Sequence, residues 1–111
     1  MNMKNSTKKI KYPDIWYGLL HLETTKRDDE MLGDVEGAYV NLIAKAHNQD
    51  EFVALIKEYT IELDFKFIEL TDVSSLQDRL GLKKNIANNL LKTAVDLKEY
   101  GHVRFGTFHT Y

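Results

Sequence analysis

An α+β fold is predicted for this chain, a two-layer β-β-α-β-α-β sandwich with a mainly antiparallel sheet and its helices on one face, ferredoxin-like in outline. Three observations carry that expectation. Period-two alternation marks residues 15–23, 38–46 and 102–111, and β-branched and aromatic residues mark 65–70. Apolar stripes at helical spacing mark 48–63 and 83–100. The connections between most of these segments are short, and 111 residues suffice for one core, so residues 1–111 read as a single domain.

The N-terminal stretch, residues 1–12, is polar and lysine-bearing and reads as a flexible arm ended by Pro13. The first strand follows over 15–23. Trp16, Gly18, Leu20 and Leu22 share one face, and Ile15, Tyr17, Leu19 and His21 share the other. His21 has no partner in sequence, and a structural histidine is the expectation.

Residues 24–37, TTKRDDEMLGDVEG, are too long for a tight hairpin turn. Asp28, Asp29, Glu30, Asp34 and Glu36 crowd this loop. The spacing lacks the alternating oxygen ligands and terminal glutamate of a calcium loop. A solvated charge run and a recognition loop for a cationic partner are both open readings.

The stretch 36–73 organises the chain as a strand, a helix and a second strand. Ala38, Val40, Leu42, Ala44 and Ala46 make a small-residue apolar face on which a helix can pack closely. Asn48 lies three residues before Glu51, the spacing of a capping box, and Phe52, Leu55, Ile56, Tyr59 and Leu63 form the stripe of a helix ending near Glu62 or Asp64. Residues 65–70 carry apolar groups on both faces, the pattern of an inner strand covered on each side. Ser74 or Ser75 caps a short helical turn closing at Gly81. A longer helix is expected over 83–100 on the stripe Ile86, Leu90, Ala94 and Leu97, stopped by Gly101. Strict alternation in the terminal strand sends Val103, Phe105, His109 and Tyr111 one way, and His102, Arg104 and Phe108 the other.

Composition removes several function classes. The chain has no cysteine, so disulfides, thiolate nucleophiles and cysteine-built zinc sites are excluded. No apolar run approaches the roughly 20 residues that span a bilayer, and the basic N-terminal stretch lacks the apolar segment of a signal peptide. A cytoplasmic location is the resulting expectation. The net charge of −2 hides a division: residues 14–78 carry fifteen acidic and five basic side chains, whereas both flanking segments are basic. An acidic middle repels phosphate backbones and attracts basic partners.

Catalytic patterns are sparse. His102, Arg104, His109 and Tyr111 have the right side chains for a metal-independent ribonuclease, but His102 and His109 stand about 23 Å apart along an ideal strand. No serine sits in a G-x-S-x-G setting, and no phosphate-binding glycine loop is present. Glu58 and Glu62 share a helix face without an accompanying E-x-x-H, so no metal site is read there.

An acidic, cysteine-free α+β domain without a catalytic motif resembles the small bacterial immunity proteins of contact-dependent growth inhibition and other polymorphic toxin systems. That resemblance implies binding and neutralisation of one cognate toxin domain, often a nuclease, and it implies no enzyme activity and no cofactor. The partner surface expected on it comprises Asp28, Asp29, Glu30, Asp34 and Glu36, with Glu58 and Glu62 as a second group. Neither nucleic acid nor membrane is an expected partner, and the chain is expected to be a monomer or weak homodimer. Two alternatives stand beside it: a regulatory or small-molecule-binding ferredoxin-like homodimer, and a small metal-independent ribonuclease.

Overall fold

The computed structural model describes residues 13–82 and 88–111. In chain order these form β1 (Ile15–Thr24), β2 (Gly37–Lys45), α1 (Gln49–Glu62), β3 (Phe65–Ser75), α2 (Leu76–Gly81), α3 (Asn88–Ala94) and β4 (Val103–Thr110). The four strands make one open sheet in the order β3-β1-β2-β4, antiparallel at every ladder. The α+β class and the antiparallel sheet are as the sequence predicts. The N-terminal arm and residues 83–87 of the expected second helix lie outside the described residues.

The unit over 36–73 is a split β-α-β. β2 and β3 both run antiparallel to β1, which lies between them, so they are parallel without being neighbours. The inner-strand reading of residues 65–70 is therefore corrected: β3 is an edge strand, longer than expected, with most of its residues solvent-accessible. Its apolar residues on both faces reflect irregular pairing, not double coverage. The β1–β3 register shifts twice, between the pairs of Tyr17 and Leu19 and between those of His21 and Leu22. The second shift leaves Ile68 without an opposite residue and 36 % exposed.

One face of the sheet is the small-residue face of β2 together with Leu20 and Leu22 of β1. Phe52 and Ile56 of α1 pack on it, fully buried. Helix α1 starts where expected, with the Asn48 side chain accepting from the Glu51 amide at 2.8 Å. The return half of the capping box is displaced by one residue: the Glu51 carboxylate accepts from the His47 amide at 3.0 Å and contacts His47 Nδ1 at 2.9 Å. At the other end, Asp64 takes a left-handed conformation (φ +66°) and turns the chain into β3.

The expectation of helices on one face is corrected by the second cluster. Ile15 and Tyr17 of β1 and Ile43 of β2 point away from α1, and Leu76 of α2 with Leu90, Ala94 and Leu97 cover them. Among the described residues, the small helices cover the half of this face near the start of β1. Ser75 caps α2 by accepting from the Asp78 amide at 3.1 Å. The helical part of α3 ends at Ala94, well short of Gly101, although Leu97 beyond it is still buried.

A third irregularity decides the orientation of the chain end. Val40 pairs with Phe108 and Leu42 with Phe105, so β4 carries an extra residue at Gly106–Thr107. Phe105 and Phe108 consequently lie on the same face, their rings 5.3 Å apart over the α1 side. Strict alternation fails at that bulge: His109 and Tyr111 share the side of Arg104 rather than that of Val103 and Phe105.

Candidate functional site

The C-terminal end of β1, the N-terminal ends of β2 and β3, the end of β4 and the last turn of α1 all meet at one end of the molecule. The acidic loop 25–36 is tied into this end. The Thr24 hydroxyl donates to the Val35 carbonyl at 2.7 Å, and the Thr25 hydroxyl donates to the Asp64 carbonyl at 2.7 Å. Lys26 pairs with Asp64 at 3.3 Å, both side chains more than half exposed, so the pair is screened and weak.

Within the loop, Asp29 folds the chain back on itself. Its amide donates to the Gly33 carbonyl at 3.0 Å, and the Gly33 amide returns a bond at 2.7 Å. Its carboxylate accepts from the amides of Met31 at 2.8 Å and Leu32 at 3.0 Å. Asp29 is 6 % exposed. A carboxylate so engaged is a loop staple, and it is withdrawn from any partner surface. Asp28, at φ +51°, and Glu30 are left outside the staple, facing solvent.

Asp34 and Glu36 lie along an open cleft of about 920 Å³ that also takes in Glu23, Lys26, Arg27 and Tyr111. Backbone hydrogen bonds join its lining residues. The Glu36 amide donates to the Tyr111 carbonyl at 2.8 Å, and the Tyr111 amide donates to the Gly37 carbonyl at 3.0 Å. Glu58 and Glu62 are not in this cleft. They flank Ile61, 62 % exposed, in a shallow groove on the outer side of α1. The two predicted acidic groups thus occupy adjoining surfaces, linked through Asp64, without converging on one point.

Beside the cleft, on the half of the sheet that α2 and α3 leave open, stands an aromatic cluster that single-residue reading missed. His21 and Tyr39 are stacked, ring centroids 4.3 Å apart and 18° from parallel. The Tyr111 hydroxyl and His21 Nε2 share a hydrogen bond of 2.7 Å, and the Tyr111 ring lies 5.8 Å from His21 and 5.9 Å from Tyr39. Tyr39 and Tyr111 are 43 % and 47 % exposed. Partial desolvation raises the Tyr111 phenol above its ordinary pKa, and the nearby Glu23 carboxylate, the Tyr39 phenol and the Glu36 carboxylate add to the shift. His21 is therefore a partnered surface residue. The alternation that put His21 and Tyr39 opposite their apolar faces was the available signal, but the Tyr111 contact depends on the β4 bulge.

The ribonuclease residues are not assembled. His102 precedes β4 beside Glu99, 3.8 Å away, whereas His109 is seven positions further on, at the opposite end of that strand. Among the described residues no three of His, Cys, Asp or Glu group as metal ligands, and no helix is long and apolar enough to cross a membrane. No family model, no characterised relative and no solved structure matches the chain.

Proposed function

We propose that this protein is a binding protein for a basic protein partner, acting as an immunity protein that neutralises a cognate toxin domain of the nuclease type in the cytoplasm. One observation carries the reading: the fold gathers Glu23, Asp28, Glu30, Asp34 and Glu36 at the same end as Glu62 and Asp64. Lys26, Arg27 and Lys66 are the cations interspersed there, so the end retains a negative excess. Nuclease sites are basic because they hold phosphate, and a carboxylate-rich surface of this kind complements them. A surface of this sign speaks against nucleic acid as the direct ligand.

The test is co-expression with any nuclease toxin domain encoded by a neighbouring gene, scored by growth rescue and by a purified complex. Replacing Asp28, Glu30, Asp34 and Glu36 by Ser then slows association at low salt by roughly tenfold or more, the scale of electrostatic steering. A chain that neither rescues growth nor binds the toxin removes the reading. An unchanged on-rate in the variant removes the loop from it.

A homodimer through a sheet edge is less well supported. Both edge strands, β3 and β4, carry register shifts that bend them away from a flat pairing surface.

A further inference from the structure

We infer that the open half of the sheet, built on Tyr39, His21 and Tyr111, is a seat for an arginine side chain of the basic partner. The inference rests on the proposed acidic-end function and deepens it: the loop supplies long-range attraction, and this platform supplies the short-range contact.

The platform is assembled before any partner arrives. Tyr39 comes from the outer side of β2 and His21 from its direct partner position on β1, so the β1–β2 register fixes their stacking. Tyr111 closes the third side through its hydrogen bond to His21. Gly37 permits this closure: a Cβ there would collide with the Tyr111 hydroxyl and lie 2.6 Å from the Leu22 carbonyl oxygen. Rings held by one another in this way lose little rotamer freedom on binding, so contact with them is entropically cheap.

The surroundings select a cation. Glu69 stands opposite His21 across the β1–β3 ladder, Glu23 follows His21 on the same face, and Glu36 adjoins Tyr111. The exposed tyrosine faces offer the negative centre of the ring quadrupole, and the carboxylates offer hydrogen-bond acceptors at its border. Among the described residues the chain's own cation–π contacts go to Tyr100, Phe67 and Tyr17, and none covers Tyr39 or Tyr111. This chain's own cations near that face are Lys66, opposite Glu23, Arg104 further along β4 beyond His109, the partner of Tyr39, and Lys26 and Arg27 in the adjoining cleft. A planar guanidinium can lie on a tyrosine ring while its edge nitrogens reach a carboxylate in two-point fashion. An ammonium, compact and strongly hydrated, does neither as well. Arginine is thus the side chain favoured over lysine.

The experiment uses two blocked pentapeptides, acetyl-Gly-Arg-Gly-Arg-Gly-amide and its lysine counterpart, titrated into the full chain at low salt and followed by NMR. The ring protons of Tyr39, Tyr111 and His21 are expected to shift with the arginine peptide. The lysine peptide should bind several-fold more weakly. Tyr39→Ala should weaken the arginine peptide roughly two- to fivefold, the range of an exposed cation–π contact, while Tyr39→Phe retains it. Equal affinity for both peptides, ring protons that stay unmoved, or a Tyr39→Ala variant that binds as tightly as the parent overturns the platform. Where such a failure accompanies loss of binding in the loop Ser variant, the acidic-end reading survives and the arginine seat alone is lost. Toxin rescue decides that broader reading separately.

Discussion

The two faces of the sheet are built on different plans. The face under α1 is apolar from end to end: Leu20, Leu22, Ala38, Val40, Leu42 and Ala44 are all essentially inaccessible, and Phe52 and Ile56 fill the space above the alanines. The opposite face is divided. Its half near the start of β1 buries Ile15, Tyr17 and Ile43 under the two small helices, and its other half presents His21, Tyr39 and Tyr111 beside the acidic loop. Burial is thus concentrated on one face, which leaves half of the other accessible to solvent. Close packing of an uninterrupted apolar layer supplies most of the folding free energy of a small domain.

Deleting the central knob of the α1 face should therefore be the largest single effect. Phe52→Ala is expected to cost about 3–5 kcal/mol, and Leu76→Ala on the divided face about 2–3 kcal/mol, by urea unfolding. Equal losses would mean that the small helices contribute as much as α1. Gly18 belongs to the same comparison, because a Cβ there would sit 2.8 Å from Leu70 Cδ1 and 3.3 Å from Phe52 Cε2.

Next in size is a change that touches the open half without removing a single contact atom. Gly37→Ala forces apart Tyr111 and the backbone of β1, at a cost of about 1–3 kcal/mol. Both a lower unfolding midpoint and a changed environment of the Tyr111 ring protons are expected. A variant with parental stability and parental ring shifts would show that the end of β4 is only loosely docked.

Much of the α1 face could be read in the sequence, because its determinants are local. The β2 alternation, the Asn48 cap and the Phe52–Ile56 stripe each depend on residues within a few positions of one another. The cap of α2 was legible to within one residue, Ser74 or Ser75, for the same reason, and Ser75 fills it. The divided face depends on long-range pairing. Placing β3 at an edge requires knowing that β1 inserts between β2 and β3, and placing Tyr111 beside His21 requires the bulge at Gly106–Thr107. Neither a bulge nor strand order leaves a periodic signature, since one extra residue simply inverts every position after it. Of the candidate surface, the loop acids were visible as composition, but the staple role of Asp29 was not. An aspartate bound to its own loop amides looks in sequence like any other acid in the run.

The boundary between the covered and open halves contains the buried cation Arg79. Its guanidinium lies 3.7 Å from the centre of the Tyr17 ring and pairs with Asp72 at 2.8 Å, and Arg79 is 7 % exposed. Asp72 sits at φ +53° in the first β3 irregularity, a conformation that Asn tolerates as well as Asp. Asp72→Asn therefore leaves the backbone in place and removes the charge. Because Asp72 itself is partly solvated, the expected loss is about 1–2 kcal/mol rather than the full cost of a stranded buried ion. A loss of 3 kcal/mol or more would show that the pair closes the core of the divided face.

The smallest effect concerns the start of α1, at the end of the sheet away from the acidic loop. Hydrogen bonds from the His47 amide and ring hold the Glu51 carboxyl below its usual pKa. A carboxyl depressed in the folded state stabilises the fold above its unfolded value, about pH 4.3, and that contribution disappears as pH falls through the folded value. The thermal midpoint of the parent should thus exceed that of Glu51→Gln above about pH 4.3 and converge with it at pH 2–3. Both groups are solvent-facing, so about 1 M salt, with its Debye length near 3 Å, should shrink the difference. A gap that persists unchanged at pH 2 would assign the effect of Glu51 to packing, and charge at the α1 cap would then have no part in holding the fully apolar face.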